Sequence, residues 1–411
     1  MADPRTTVER ALAGAEVRPI TLDAFHARRE RKARNQRIAA GVLGVSVALA
    51  VGLVASRLVD GDGDRTAGPP ARNGAIAFEG DRGYLYLATP DGTGMHVAVR
   101  NLAEHPEECG LDGNHYCTFR GSTWSPDGTQ LAFAYGAPSV VNVGDMSLYV
   151  MDAATQEVRF LARCPAAPGD PTGTCDDGRR LSWSPDGRRI AFSSGGDLFV
   201  ADPRSRELTK ITGCASCSYD GPARFPAWSP TGDEIAFNAA NSLHVVDGDG
   251  TGWRTIVTSA GASFDRLNGN RPEWSPDGTN LAFWATEGLF VVSADGSALR
   301  LLVSGTPTFT TGGPFWSPDS RRVLYLMTVG SRETVRAEIR TVEVAGGDDR
   351  LIYRSGCCVH DWRAPIFSPD GTRIAFGLGI EDDFFVYVME ADGGDVRRLP
   401  GFGELAWQGL P

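Results

Sequence analysis

Positive charge is scarce in this chain of 411 residues: 40 Lys and Arg stand against 51 Asp and Glu, a net charge of −11. An acidic protein repels phosphate backbones, which argues against nucleic acid as a partner. Lysine is nearly missing, with Lys32 and Lys210 the only two among the basic residues, a composition suggestive of a GC-rich coding sequence. No Gly-rich phosphate loop, Gly-x-Ser-x-Gly elbow, Ser/His/Asp order or carboxylate pair stands out, so no catalytic residue, cofactor or metal ligand is assigned. What is plentiful is glycine and proline, 50 and 25, beside 42% hydrophobic residues. That balance suits an all-β chain of many turns that still buries a core.

The one long uncharged apolar run is residues 38–56, 19 residues between Arg37 and Arg57. This length crosses roughly 30 Å of hydrocarbon as a helix. Residues 1–59 hold ten Lys and Arg against five Asp and Glu, whereas the remaining residues are net −16. The basic flank before the run and Asp60, Asp62 and Asp64 after it predict a cytoplasmic N-terminus and a body outside the membrane. The expected organisation is a basic tail (1–36), a transmembrane helix (37–57), a flexible linker (58–73) and a repeat domain (74–411) of a single-pass membrane protein. A cleaved signal peptide fits less well, because 37 residues precede the run.

The body repeats. Trp124-Ser125-Pro126-Asp127-Gly128 recurs at Trp183, Trp228 (with Thr231 for Asp), Trp274, Trp316 (with Ser320 for Gly) and Phe367, at offsets of 59, 45, 46, 42 and 51 residues. Pro presets one turn dihedral, Asp bonds back to the backbone and Gly takes the left-handed position, so the unit reverses the chain between strands. An apolar triplet follows each turn, such as Leu131-Ala132-Phe133 or Ile235-Ala236-Phe237, then two further strands. Four antiparallel strands at this period describe one propeller blade. The triplet Ile76-Ala77-Phe78 has no aromatic strand before it, while Trp407 has no triplet after it. Pairing the two ends gives an all-β propeller of seven four-stranded blades, six being the alternative count, preceded by one transmembrane helix.

These motifs resemble the propeller repeats of the TolB family, a WD-repeat-like group marked by Trp-Ser-Pro-Asp-Gly followed by Ile-Ala-Phe, over about residues 74–410. The resemblance implies the fold and a partner-binding role. TolB proteins carry a small α/β domain and six blades, which this chain replaces by the apolar run and a count of seven. Propellers of prolyl-oligopeptidase type are similar too, but no hydrolase domain follows here.

In a four-stranded meander the Pro-Asp-Gly turns share one face, and the longer, variable connections between blades lie on the other, which is where binding is expected. All eight cysteines fall in those connections, as Cys109 and Cys117, Cys164 and Cys175, Cys214 and Cys217, and the adjacent Cys357 and Cys358. Outside the membrane they read as disulfides. Zinc is the rival, since His105, Cys109, His115 and Cys117 lie close together, but the ligand spacing is irregular. Four residues before the inner-strand aromatic stand Arg120, Arg179, Arg224 and Arg363, with Arg271 one position off. Such a ring at one channel mouth could hold an anion, or its members could pair with nearby acids such as Asp177 and Asp361. His115, Tyr116, His360 and Trp362 are the aromatics expected to project from the same face. The sequence thus predicts a non-catalytic, membrane-tethered module that binds a protein, a cell-wall glycan or a small anion. Its alternatives are an extracytoplasmic glycan lyase or hydrolase, and a sensor signalling to the tail.

Overall fold

The computed structural model describes residues 72–80, 84–91, 93–100, 102, 118–136, 146–165, 181–212, 222–239, 241–258, 271–305, 314–330, 334–356, 358–380, 383–400 and 405–410. The expected tail, membrane segment and linker lie outside them. Among the described residues no helix is long and apolar enough to cross a membrane. Two compact units divide the chain, residues 1–66 and 67–411, and the second is described here.

Its described residues form 28 strands in seven four-stranded antiparallel sheets. Six blades follow chain order, beginning with the inner strands β4 (Thr118–Trp124), β8 (Leu181–Trp183), β12 (Arg224–Trp228), β16 (Glu273–Trp274), β20 (Phe315–Trp316) and β24 (Val359–Phe367). The remaining blade joins both ends of the chain: the last strand, β28 (Leu405–Leu410), pairs with β1 (Arg72–Gly80), Trp407 opposite Ile76. Each inner strand touches the inner strands of both neighbouring blades, and the last touches the first, so the ring closes around a channel. We number the blades 1 to 7 from the one containing β1.

Each seam between blades has its own hydrophobic cluster, and the triplet explains the division of labour. In a strand alternate residues face opposite sides. Leu131 and Phe133 therefore pack toward blade 1 while Ala132 packs toward blade 3, beside Trp183. The same pairing of a triplet Ala with the next blade's tryptophan recurs as Ala77 and Trp124, Ala191 and Trp228, Ala236 and Trp274, Ala282 and Trp316, and Ala375 and Trp407. Only seam 6–7 departs, and it departs on both sides: Leu324 replaces the Ala and Phe367 replaces the Trp. A larger triplet residue meets a smaller ring, which conserves volume in a close-packed interior.

The tryptophans also staple the ring. Trp124 Nε1 donates to Ala406 O (3.3 Å), Trp183 to Thr123 O (3.1 Å), Trp274 to Ala227 O (2.9 Å) and Trp316 to Glu273 O (2.9 Å). The acceptor is each time the residue preceding the aromatic of the previous blade. Phe367 has no such donor, and the buried Trp228 and Trp407 Nε1 groups have no partner among the described residues.

The repeated turn is a hydrogen-bonded unit centred on its serine. In blade 5 the fully buried Ser275 Oγ donates to Asp277 Oδ1 (2.6 Å) and accepts from Asn280 N–H (2.9 Å), while Asp277 Oδ1 accepts from Thr279 N–H (3.0 Å). Gly278, at φ +71°, takes the left-handed corner. Burial alone would raise the Asp277 carboxyl, but the bonds from Ser275 and Thr279 outweigh it and hold the group below its ordinary value. Asp127, Asp186, Asp319 and Asp370 are lowered in the same way in their own blades. A depressed carboxyl adds stability that is present above about pH 4 and is lost as pH falls through the folded value. Ser275→Ala leaves the Asn280 N–H without its acceptor, and should destabilise the protein by about 1–3 kcal/mol in urea titrations at neutral pH.

Candidate functional site

The inner strands present one uncovered edge to the channel, and proline punctuates it: Pro226, Pro272, Pro314 and Pro365 each lie two residues before the inner aromatic. Proline removes an N–H from an edge that could otherwise pair with another chain. A cavity of about 400 Å³ runs along this channel. It is bordered by every residue from Gly121 to Pro126, so in blade 2 it extends from the middle of the inner strand into its turn. Its charged side chains are Arg271, Arg363 and Glu273; Phe315, Phe367 and Trp407 supply aromatic surface.

The arginines of the sequence pattern occupy one level. Arg120 pairs with Ala134, Arg224 with Asn238 and Arg363 with Gly377, in each case the residue after the triplet aromatic. Each stands just before a β-bulge, where one extra residue enters the inner strand. Strand β16 is paired only at Glu273, opposite Ala282, and Trp274, opposite Leu281, so Arg271 lies two residues before the paired strand.

Level is not the same as orientation. Arg271 and Arg363 border the cavity, Arg120 is half-buried and outside its lining, and Arg224 is exposed. Both channel guanidiniums rest on aromatic rings: Arg271 lies over Phe225 at 5.7 Å and is 8% exposed, and Arg363 lies over Phe384 at 5.0 Å. Gly377 makes the second arrangement possible, because a Cβ there would fall 2.7 Å from the Phe384 ring. Arg363 Nη1 also donates to Asp361 Oδ1 (2.7 Å) and to Trp362 O (3.0 Å), the acid pairing foreseen as the competing role. Held this way, the two guanidiniums lose little freedom on meeting an anion.

Trp362 requires a correction. It is 7% exposed and packs in the seam 6–7 cluster with Leu326, Ile339 and Leu378, so it is core and does not project from the face. Its strand begins at Val359, and a register shift between Val359 and Asp361 brings Trp362 to the same side as Val359, an event of pairing that the sequence does not mark. His360 lies on the same strand, with its side chain outside the described residues; Arg179, His115 and Tyr116 lie outside them altogether. Of the cysteines, Cys164 and Cys358 are described and both are disulfide-bonded. Cys109, Cys117, Cys175, Cys214, Cys217 and Cys357 fall outside the described residues.

Sequence reasoning missed Glu273, Phe315 and Ile366. The signal was present: each immediately precedes the inner aromatic, and strand alternation turns it to the opposite side of the strand, where Phe315 and Ile366 also pack against the following seam.

The chain is therefore a seven-bladed β-propeller. No family model matches it, and no curated protein sequence does. Among solved structures it is similar to a functionally unknown protein from Desulfotomaculum acetoxidans, with a TM-score of 0.54, 13% identity, and 83% of this chain and 100% of that one covered. It is similar to an oligogalacturonate lyase from Vibrio parahaemolyticus, with a TM-score of 0.51, 16% identity, and 80% and 87% covered. TolB from Acinetobacter baumannii aligns at a TM-score of 0.45 and 16% identity over 82% of this chain, which spans 66% of that protein's length. Identities this low speak to fold alone.

Proposed function

We propose that this protein is a non-catalytic binding propeller, held outside a membrane by residues 38–56, whose channel mouth receives the anionic group of a protein, a cell-wall glycan or a small ligand. The observation that carries the reading is the pair Arg271 and Arg363, fixed on Phe225 and Phe384 at the border of one cavity. Two guanidiniums favour a carboxylate or phosphate; Asp361 holds Arg363 in place, and Glu273 is the carboxylate among the described residues that borders the cavity. A glycan lyase or hydrolase would call for a metal or carboxylate cluster there. The tether rests on the length of the apolar run and its basic flank, and the outer location on the cysteines of the inter-blade connections.

Thermal melting of the full chain with inorganic phosphate or galacturonate tests the site. A ligand at about 100 times its Kd stabilises by about 2.7 kcal/mol. The expected result is a raised Tm with at least one anion and no rise in Arg271→Ala/Arg363→Ala. An undiminished rise in that variant would place the anion elsewhere.

A further inference from the structure

Seam 3–4 is joined differently from its neighbours. It lacks the indole staple, because Trp228 Nε1 has no partner among the described residues. Its turn is also the one without the serine-bonded aspartate, Thr231 standing in that place. Across the seam run instead an ion pair between Arg189 and Asp233, the Arg189 guanidinium over the Trp228 ring at 4.7 Å, and bonds from Trp228 N–H to Ser182 Oγ (2.8 Å) and Ala223 N–H to Gly196 O (2.8 Å).

A second observation falls on the same seam. Opposite the triplet aromatic, the third strand carries Tyr86, Tyr149, Phe199, Phe290 and Tyr387 in five blades, each stacked on its partner within about 25° of parallel. Blade 4 places His244 there, opposite Phe237. Phe237 belongs to the seam 3–4 cluster, and cross-strand partners share a face, so His244 faces blade 3 as well. The ring is 4% exposed, stacked on Trp253 (4.8 Å) and tilted against Phe237 (5.4 Å), with Nδ1 at 3.1 Å from Thr255 Oγ1 and Nε2 at 3.1 Å from Ala239 O. This arrangement suits the neutral imidazole, whose Nε2–H donates to the carbonyl while Nδ1 accepts from the hydroxyl.

We infer that seam 3–4 is the acid-sensitive joint of the ring, loosened when His244 takes a proton between its aromatic neighbours. Of the charged groups around it, Glu234 pairs with Arg254 on blade 4, Asp197 binds Lys210 and Thr212 on blade 3, Arg189 pairs with Asp233 across the seam, and Asp247, at the end of the His244 strand, accepts from Thr251 Oγ1. Burial, the leading influence, lowers the affinity of the imidazole for a proton, and the Ala239 carbonyl opposes it only in part. An unfolded or opened blade binds that proton from about pH 6.5 downward, so the joint weakens as pH falls below that value.

Hydrogen exchange of the full chain at pH 7.5 and pH 5.0, corrected for the intrinsic rate, tests the inference. Ile190–Ser194, Glu234–Ala239 and Ser242–Asp247 should lose protection at the lower pH, by about tenfold, while Leu131 and Leu281 segments of other seams do not. His244→Phe, which restores the aromatic found in other blades, should abolish the difference. Uniform change across all seams, or the same local change in His244→Phe, would overturn it; if that variant does not fold, the wild-type comparison between seams decides alone.

Discussion

A chain ending at residue 404 should not form a closed, monomeric propeller. The deletion removes β28, which uncovers the edge of β1 and takes Trp407 and Ala406 out of the seams on either side of blade 1. It also removes Gln408, whose side chain fills the role of the turn serine in the other blades: Oε1 accepts from Ala75 N–H (2.7 Å) and Nε2 donates to Gly128 O (2.6 Å). Gly128 and Gly74 leave no space beyond hydrogen for anything but that contact, a Cβ on either falling 2.3 Å from Gly409 O or Gln408 Oε1. An uncovered strand edge is a template for association. Size-exclusion chromatography should therefore show aggregates, and Trp407→Ala alone should cost about 3–5 kcal/mol in denaturant. A truncated chain that stays monomeric with the parent melting temperature would contradict closure by the C-terminal strand.

The Leu324 and Phe367 exchange should behave as a coupled pair. Leu324→Ala opens a cavity beside Phe367 and is expected to cost about 2–5 kcal/mol. Phe367→Trp overfills the same space and is expected to cost about 1–3 kcal/mol. Together they rebuild the Ala and Trp packing of the other seams, and the new indole would sit where the staple pattern directs its N–H, toward the carbonyl of Phe315. The double variant should be more stable than the sum of the singles by at least about 1.5 kcal/mol, read as a double-mutant cycle in urea. Simple additivity would mean that the two positions do not share one seam.

Blade number and ring closure were legible because each blade repeats a local code. Trp407 without a triplet and Ile76-Ala77-Phe78 without an aromatic strand are two halves of one unit, and turn chemistry made the reversals after the inner strands visible. The arginine level was also legible by counting for Arg120, Arg224 and Arg363, whereas Arg271 lies before the paired residues of its strand. Trp362 was misplaced because a tryptophan beside a polar loop can continue the strand as readily as leave it. The compensating Leu324 and Phe367, and the seam on which His244 falls, depend on which blades touch. Those contacts became readable only once the ring was assembled. Phe225 and Phe384, which fix the two channel guanidiniums, come from a bulge and from a third strand, so no linear spacing linked them to Arg271 and Arg363.

The proposed place of the propeller, outside the membrane, is tested directly by its cysteine chemistry. The full chain, extracted from membranes and alkylated before and after reduction, is weighed by intact mass. All eight cysteines should be protected from alkylator until reduced, with no metal in the native mass. Cysteines alkylated without reduction, or released together with stoichiometric zinc, would contradict the outer location and return the inter-blade connections to a metal-site reading.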